Sequence, residues 1–455
     1  MQKQNVVVVG GGLSGLFAVN KLAKNKNLNI TLIEGSPSCG GLLNCFQSES
    51  GVYYDQGTHF ASKTGVDSID DILFDETDFE NNWYQFSYLN SGNFAFNKWT
   101  FDTQVVDIRN LPDCEYHKAL GQLISAETIT TSDTFSEYAK SHLGEYLYHE
   151  LFKPTVYKLY GDDVDLLSIQ PRVGYFGLNR VVALDDITTE SLKKIPKYDE
   201  KLAYSSSKYY SEKITTQECY LYPKDKKGIQ FWIDKMHERA VKNGVNILTS
   251  TEIKKLDVSK KKVTSIITSD GKIYSSDLVI WTVPPSILLK LSNIECSFSY
   301  KPLLRTANLF HYSFDKPLFN CKNHYVWNWD KNYRSFRLTF YNNFTGCTAH
   351  DSRVTVEVLS SPEESQRISS EEILKELRDM EIIGEEHHLT DESKQVIHST
   401  FPVPDKKLQK LSNEIRGKVE AELENVIIAG RHSGSVWLQS DVIKAINHEI
   451  EARIF

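Results

Sequence analysis

Three glycines and a glutamate near the start of the chain have the types and spacing needed to bind a dinucleotide. Gly10, Gly12 and Gly15 follow the pattern G-x-G-x-x-G, and Glu34 comes 19 residues after Gly15. In such a turn the first glycine permits a tight bend, the second lets the backbone approach a pyrophosphate, and the third lets a helix lie close to a strand. A carboxylate at the position of Glu34 is placed to hydrogen-bond a ribose hydroxyl, and it would repel a 2′-phosphate.

These residues need a strand, a helix and a second strand to position them, and the surrounding sequence predicts all three. Residues 6–9 are four valines, which suits a strand buried on both faces of a parallel sheet. After the glycines the apolar residues recur at helical spacing, so the first helical N–H groups, those of Leu13 and Ser14, would face the pyrophosphate. Residues 30–33 predict a second strand that ends at Glu34. Because these features agree in place and order, the sequence predicts a dinucleotide site.

A second glycine pair indicates which dinucleotide binds. Gly40 and Gly41 follow soon after Glu34, and the stretch GVYYDQGTHF occupies residues 51–60. A nicotinamide-binding domain has no need of either feature. The arrangement resembles the glutathione-reductase-like FAD proteins, and within them the branch of amine oxidases, protoporphyrinogen oxidases and UDP-galactopyranose mutases. The resemblance implies that Gly40, Gly41 and Leu42 pass under the flavin end of a non-covalently bound FAD, and that residues 55–60 lead into the substrate cavity.

Two later segments also resemble FAD-contacting parts of this family. The residue that matches Ile253 lends its backbone to the adenine in the family, and the residues around it predict a strand. Residues 425–430, NVIIAG, predict a buried strand that ends at a glycine, and an amphipathic helix follows from near Asp441. In the family this strand, glycine and helix N-terminus bring backbone N–H groups to the isoalloxazine and ribityl end. The resemblance assigns these contacts to Gly430, Arg431, Asp441 and Val442.

The middle of the chain is most similar to the UDP-galactopyranose mutases. NFAFNKWTF (93–101) resembles an asparagine-threonine segment of those enzymes, and the stretch from residue 152 to Arg172 resembles their lysine-aromatic-glycine stretch followed by arginines. The resemblance implies that Arg431 lies beside the flavin and a substrate diphosphate, and that Tyr160 lines a sugar or uridine pocket. It also implies that Arg172 or Arg180 meets phosphate, although a surface ion pair is an equally good expectation for both arginines.

Departures from the mutase pattern point to a different substrate. The mutases hold the diphosphate with tyrosines where this chain has Ser435 and Trp437, and they carry a tryptophan where it has Tyr160. Trp437 is nevertheless the aromatic residue that the resemblance to the mutase segment assigns to the substrate. We therefore expect an anionic nucleotide sugar other than UDP-galactopyranose.

His59 has two interpretations. The ordinary pKa of histidine lies near neutrality, so His59 could act as an acid or base facing the flavin. Alternatively it only hydrogen-bonds a backbone carbonyl beneath the ring, which is the interpretation we prefer for a single histidine in a glycine-rich turn. The sequence contains no Ser-His-Asp arrangement, metal-ligand cluster or phosphate-transfer loop, so we expect the chemistry to belong to the flavin and no metal to bind.

Composition limits the possible partners and the compartment. The formal net charge of −8 argues against non-specific binding of nucleic acid. The seven cysteines are scattered and include no C-x-x-C pair, which indicates a reducing compartment. No stretch has the length and apolarity of a signal peptide or a membrane span, so a soluble, cytoplasmic protein is expected.

The expected fold is α/β, with a Rossmann-like FAD-binding domain interleaved with a mixed or antiparallel-sheet substrate domain and a helical subdomain. The FAD-binding domain is assigned to 1–65, 228–290 and 403–455, the substrate domain to 66–112 and 291–402, and the helical or cap subdomain to 113–227. In the cap subdomain, a helix starting near Thr134 should break or kink at Pro154. Residues 181–227 predict loops with short elements, either a mobile cover or an ordered connection.

Two function classes remain open, with a third as the minimal case. The first is an FAD-dependent enzyme acting on a nucleotide-linked or lipid-linked sugar in surface-glycan biosynthesis, by flavin hydride transfer or mutase-like flavin chemistry. The second is an amine oxidase or protoporphyrinogen-oxidase-like flavin oxidase. The minimal case is a protein in which FAD is structural.

Overall fold

The computed structural model describes residues 3–74, 79–129, 131–132, 134–161, 165, 167, 178–213, 219–295, 300–345, 351–434 and 438–454. In chain order its strands are β1 (Gln4–Val9), β2 (Leu28–Ile33), β3 (Cys45–Gln47), β4 (Tyr53–Asp55), β5 (Ala61–Ser62), β6 (Trp83–Phe86), β7 (Ser91–Ala95), β8 (Lys98–Thr100), β9 (Tyr220–Pro223), β10 (Asn246–Leu248), β11 (Ile253–Ser259), β12 (Lys262–Thr268), β13 (Ile273–Ser275), β14 (Leu278–Trp281), β15 (Leu304–Phe314), β16 (Tyr325–Asn328), β17 (Arg337–Phe340), β18 (Arg353–Ser360), β19 (Leu389–Pro402) and β20 (Val426–Ile428).

The α-helices in chain order are α1 (Leu13–Leu22), α2 (Asp67–Leu73), α3 (Phe79–Asn82), α4 (Asp113–Ser125), α5 (Phe135–Leu143), α6 (Glu145–Leu147), α7 (Lys153–Tyr160), α8 (Asp186–Leu192), α9 (Pro196–Asp199), α10 (Ser207–Lys213), α11 (Gln230–Lys242), α12 (Pro285–Leu291), α13 (Tyr341–Phe344), α14 (Pro362–Ser365), α15 (Ser370–Asp379), α16 (Lys406–Glu422) and α17 (Gln439–Ile454). Short 3₁₀ turns occupy Gly41–Leu43, Ile108–Asn110 and Gly430–Ser433, and a π turn occupies Tyr148–Phe152.

A five-stranded parallel sheet in the order β10-β2-β1-β14-β20 forms the nucleotide-binding part of the fold. The valines of β1 point alternately to its two faces, and each face is covered. Val6 and Val8 pack in the core that contains α1, α11 and α17. Val7 and Val9 pack in the core that contains α12, α16 and the antiparallel sheet β11-β12-β13. Burial on both faces explains why β1 has no polar residue after Asn5, and the predicted Rossmann-like arrangement is confirmed.

A seven-stranded mixed sheet in the order β19-β15-β18-β17-β16-β7-β8 forms the second layer. The pair β16 and β7 is parallel, and the other pairs are antiparallel. Alternate residues of β18 separate the two faces of this sheet. Val354, Val356 and Val358 pack against α15, whereas Thr355 and Glu357 point to the opposite face. That opposite face carries the chain segment that follows β4 and so borders the candidate site.

A small sheet in the order β5-β9-β6 links segments that the sequence assigns to three different domains. Strand β9 lies within residues 181–227, which also contain α8, α9 and α10. This stretch therefore carries short elements and contributes the central strand of a sheet. None of the helices that the structure describes is long and apolar enough to cross a membrane.

The helix expected from Thr134 is interrupted earlier than Pro154. The first interruption comes at Gly144, whose φ of +90° ends α5. The π turn then leads into α7, where Pro154 occupies the first turn. Leu147, Phe152 and Lys153 have helical φ and ψ, so the chain stays helical from Glu145 through the π turn to Tyr160. Gly144 therefore ends the first helix, and the π turn that directly precedes Pro154 is the irregularity in the second.

Candidate functional site

The turn between β1 and α1 leaves an open space beside the helix N-terminus. Gly10 has a φ of +100°, and a Cβ there would lie 2.2 Å from Oγ1 of Thr282. A Cβ on Gly15 would lie 1.9 Å from the carbonyl oxygen of Gly10, so only glycine lets α1 approach the strand this closely. Gly12, by contrast, has no atom of the described residues within 4 Å of where its Cβ would be. The backbone N–H groups of the first turn of α1, including those of Leu13 and Ser14, border this space.

Glu34 joins this turn to the segment that precedes Ile253. One carboxylate oxygen of Glu34 accepts a hydrogen bond from Gly11 N at 2.6 Å, and the other accepts from Ser36 N at 2.7 Å. The carbonyl oxygen of Glu34 accepts from Thr251 N at 3.0 Å, two residues before Ile253 begins β11. The predicted ribose and adenine contacts thus come from adjoining segments of backbone.

The second glycine pair packs directly on the first turn. Gly40 N donates to the carbonyl oxygen of Gly11 at 2.9 Å, and Gly40 forms an isolated parallel bridge with Gly12. Gly41 has a φ of +57°, and its Cβ would lie 3.7 Å from the Cα of Gly12. Leu42 follows with an exposed side chain. The two glycine motifs, 28 residues apart between Gly12 and Gly40, therefore border the same space.

The end of the chain reaches the N-terminus of α1 as well. Strand β20 is followed by Ala429, whose N–H donates to the carbonyl oxygen of Trp281 at 2.8 Å. Gly430 follows with a φ of +76°, and its Cβ would lie 3.4 Å from Oγ of Ser14. Helix α17 then packs against α1, with Asp441 exposed in its first turn and Val442 buried. The closing segment thus completes the border of one continuous site.

A cluster of cationic and imidazole side chains lies next to Gly430. Nε2 of His59 donates to the carbonyl oxygen of Gln56 at 3.1 Å, which is the structural interpretation described above. Desolvation is the largest of the causes that lower the pKa of His59 to about 4, and the positive charges of Arg337 and, less strongly, Arg431 contribute to this shift. His59 is therefore neutral at neutral pH, with Nδ1 as an acceptor. Its acid–base role stays a prediction.

Arg431 lies within electrostatic reach of Arg337. Its side chain is accessible to solvent, yet desolvation and the neighbouring Arg337 lower its pKa. The pKa of His432 is lowered by desolvation and by the charge of Arg431. We call the surroundings of Arg431, Arg337 and His59 the recess, because desolvation lowers the pKa of Arg431 and of His59 although the side chain of Arg431 is exposed. Arg431 and Arg337 therefore put two positive charges close together in that recess.

Aromatic rings line the neighbouring wall. The ring of Phe60 stacks on Tyr325 with centroids 6.2 Å apart and meets Tyr220 edge-on at 5.6 Å. The hydroxyl of Tyr325 donates to the side-chain oxygen of Gln104 at 2.8 Å. The guanidinium of Arg337 lies over the ring of Trp327, 5.3 Å from its centroid. The recess thus offers apolar ring surface beside two guanidinium groups.

The other predicted substrate residues lie elsewhere or outside the described residues. Tyr160 is buried in the core of the helical part, with its ring 6.2 Å from that of Phe401, and desolvation raises its pKa. Nε of Arg180 donates to the backbone carbonyl of Asp199 at 3.0 Å, a contact within the cap segment. Arg172 and Trp437 fall outside the residues that the structure describes. The substrate roles of all four residues stay predictions.

Arg337 is the main site residue that the sequence analysis missed. Strand β17 places it on the face that it shares with Thr339, opposite the buried Leu338 and Phe340. A charged residue in an otherwise apolar, alternating strand is a signal for a polar site on one face. That signal does not say what the residue faces, because the register of β17 with β18 decides it.

Comparison with known proteins identifies the family. Residues 13–448 match the family of flavin containing amine oxidoreductases. The chain belongs to this family. The protein is an FAD-dependent enzyme, and the predicted enzyme class and cofactor are confirmed.

Solved structures of other proteins share the fold of this flavoprotein. A reduced UDP-galactopyranose mutase superimposes with a TM-score of 0.75 at 17% identity, covering 100% of this chain and 97% of that one. A putative protoporphyrinogen oxidase from Exiguobacterium sp. 255-15 superimposes with a TM-score of 0.69 at 17% identity, covering 99% of each chain. The 4,4′-diaponeurosporene oxygenase of Staphylococcus haemolyticus is 22% identical over 326 residues, which are 68% of this chain. The chain spans 58% of the length of that curated relative.

The geometry fits FAD. The space beside Gly12 is one that a Cβ would fill, the first turn of α1 opens onto it, and the carboxylate of Glu34 lies at the end of β2. Gly40, Gly41 and Gly430 adjoin the same turn by the contacts described above, and the segment that leads to Ile253 is hydrogen-bonded to Glu34. FAD supplies redox chemistry through its isoalloxazine ring, and the protein supplies binding, orientation and electrostatics.

Proposed function

We propose that this flavoenzyme acts on a diphosphate-linked sugar, carried by a nucleotide or a lipid, in surface-glycan biosynthesis. The observation that carries this proposal is the proximity of Arg337 and Arg431 in a desolvated recess beside Gly430. Glu357 already pairs with Arg337 through two hydrogen bonds, so an anion bound here would meet Arg431 together with the edge of the Arg337 guanidinium that the carboxylate does not hold. A substrate diphosphate would be such an anion, and it would place the attached sugar near the flavin end of the cofactor site.

Different residues around the recess would bind different parts of such a substrate. Arg337 and Arg431 would bind the diphosphate through charge-assisted hydrogen bonds, which are stronger than neutral ones. Neutral His59 would accept a hydrogen bond from a sugar hydroxyl through Nδ1, because its Nε2 is committed to the carbonyl of Gln56. The aromatic wall of Phe60 and Tyr325 would exclude water from the reacting centre and stack against a ring of the substrate.

A second candidate is an oxidase that acts on an apolar or amine substrate. The aromatic wall formed by Phe60, Tyr220 and Tyr325 favours it, since ring surface of this kind also accommodates an extended apolar molecule. The names of the relatives include an oxygenase and a putative oxidase, which makes this class a realistic alternative. Under this proposal the two arginines would bind a carboxylate of the substrate or none at all.

One anaerobic experiment separates these functions. The bound flavin is reduced without oxygen, nucleotide sugars are added one at a time, and the absorption spectrum and sugar products are followed. Conversion of a sugar nucleotide without net reoxidation supports the mutase-like function. In a parallel sample with oxidised flavin, bleaching by an amine or an apolar substrate, with no response to any sugar nucleotide, would select the oxidase. An unchanged spectrum and unchanged products throughout would leave FAD with a structural role.

A further inference from the structure

Glu357 connects the substrate-facing sheet to the segment that carries His59. It lies in the middle of β18, and its side chain is only 7% exposed. Its Oε1 accepts hydrogen bonds from Nε of Arg337 at 2.6 Å and from the backbone N–H of Thr58 at 3.0 Å. Its Oε2 accepts from Nη2 of Arg337 at 2.8 Å. One buried carboxylate thus holds an arginine on one side and a backbone amide on the other.

The backbone before His59 is shaped around this carboxylate. Gly57 has a φ of +99°, and a Cβ there would lie 2.7 to 3.1 Å from the three carboxyl atoms of Glu357. The next residue, Thr58, also places its hydroxyl 2.6 Å from that of Thr339 on β17. His59 follows and is tied to the same segment through Gln56. The segment therefore lies directly on the sheet, and Glu357 is its central contact.

The same carboxylate sets the orientation of Arg337. A guanidinium that donates two parallel hydrogen bonds to a carboxylate has a fixed plane, because both groups are planar and rigid. The ring of Trp327 lies beneath this plane, 5.3 Å from the guanidinium. With Nε and Nη2 turned to Glu357, the Nη1 edge is the part of Arg337 directed away from the carboxylate. Neither hydrogen bond to Glu357 uses Nη1, and the side chain of Arg337 is 22% exposed.

We propose that Glu357 is a positioning residue, which fixes the guanidinium plane of Arg337 and the backbone of the His59 segment at one spacing across the recess. The proposal rests on the proposed function only for the anionic nature of the substrate. Glu357 touches neither substrate nor cofactor under this proposal. It acts by holding two groups that come from different parts of the chain. Arg337 is 20 residues away from Glu357 in sequence, and Thr58 is 299 residues away.

The test uses holoprotein with three substitutions. Glu357→Gln keeps the size of the side chain and one oxygen for Thr58, but its NH₂ group meets the donor Nη2 of Arg337. Glu357→Asp keeps the charge on a stem one methylene shorter, which cannot reach both partners, and it carries the test if the glutamine variant does not fold. Asp351→Asn is the matched control, because the carboxylate of Asp351 also accepts two hydrogen bonds from one arginine. Nε and Nη2 of Arg353 donate to it at 2.7 and 2.6 Å, and the side chains of Asp351 and Arg353 are 16% and 17% exposed.

Two measurements are made on each holoprotein: a crystal structure and the dissociation constant of UDP by isothermal titration. We expect Glu357→Gln to retain FAD, to show Arg337 in a changed orientation, and to bind UDP at least about tenfold more weakly, as for loss of one charge-assisted hydrogen bond. Glu357→Asp should show a smaller loss, and Asp351→Asn should bind UDP like the wild type.

Each outcome has a definite meaning. An unchanged Arg337 and His59 segment in the Glu357 variants would overturn the positioning role, and so would an equal loss of UDP affinity in Asp351→Asn. Wild-type holoprotein that binds neither UDP, nor any nucleotide sugar, nor a lipid-linked diphosphate sugar would refute the proposed function instead. In that case the crystal structures alone still decide whether Glu357 sets the orientation of Arg337.

Discussion

Adding one methyl group at Gly12 or at Gly15 should separate cofactor binding from folding. Both residues belong to the same turn, yet their surroundings are opposite. A Cβ on Gly15 would lie 1.9 Å from the carbonyl oxygen of Gly10 and 3.1 Å from its carbon, and both are backbone atoms that cannot turn aside. A Cβ on Gly12 would meet no atom of the described residues within 4 Å. The space at Gly12 is therefore not filled by any described residue, and we assign this space to the diphosphate of FAD.

The expected magnitudes follow from these distances. Gly12 has a φ of −71°, which alanine adopts without strain, so Gly12→Ala should leave the apoprotein as stable as the wild type or more stable by about 0.4–1 kcal/mol. Its methyl group should nevertheless weaken FAD binding at least tenfold, an estimate of roughly 1.4 kcal/mol or more for moving the diphosphate off the N–H groups. Gly15→Ala must separate α1 from β1, and it should destabilise the apoprotein by about 1–3 kcal/mol.

The assay compares both variants with the wild type in two titrations. Urea unfolding of the apoproteins gives the free energy of unfolding, and quenching of flavin fluorescence gives the dissociation constant of FAD. Wild-type affinity for FAD in Gly12→Ala would refute the assignment of this space to the diphosphate. Equal loss of apoprotein stability in both variants would refute the distinction between the two glycines.

Three further substitutions test the site. Glu34→Gln should weaken FAD binding about tenfold in the same fluorescence titration if its charge holds the ribose, and unchanged affinity would argue against that role. Arg431→Ala should weaken UDP binding in calorimetry by about 1.5–3 kcal/mol, and much more than it weakens FAD binding; a larger loss for FAD would contradict the diphosphate role. Asp55 is buried, and desolvation raises its pKa from 3.8 to about 6. Folding therefore favours its protonated form, and the free energy of unfolding should fall as the pH rises from about 4 to about 6. Asp55→Asn should remove this fall of about 3 kcal/mol in urea titrations, and parallel profiles would contradict it.

Much of the cofactor site could be predicted because its signals are local. The spacing of Gly10, Gly12 and Gly15 predicts a tight bend, a backbone open to a ligand and a close helix–strand contact within six residues. Each of these features depends on backbone geometry alone. Glu34 follows from the length of one helix and one strand. Such features do not depend on how distant parts of the chain pair, so a single sequence is enough to locate them.

The substrate side could not be predicted in the same way, because it depends on strand register. Arg337 faces the recess only because β17 pairs with β18 so that it lies opposite Glu357. No local pattern connects either residue with Thr58, and a shift of β17 by one position would turn the side chain of Arg337 to the α15 face. Tyr160 was predicted from resemblance to a substrate-binding stretch, but the structure places its ring in a packed core. Motif resemblance located the segment without specifying its burial.

The two halves of the site thus use different parts of the chain for recognition. FAD would be held mainly by backbone N–H groups and glycine contacts, which tolerate changes in side chains elsewhere as long as the turn geometry persists. The substrate would meet side chains of the seven-stranded sheet, above all Arg337, whose orientation depends on Glu357. Substitutions on that sheet face should therefore change substrate preference while leaving FAD bound. This division explains how one cofactor scaffold, shared with a mutase and a putative oxidase at 17% identity, can serve different substrates. Under the proposed function, the substrate of this enzyme would therefore be selected by side chains of the sheet face rather than by the glycine motifs.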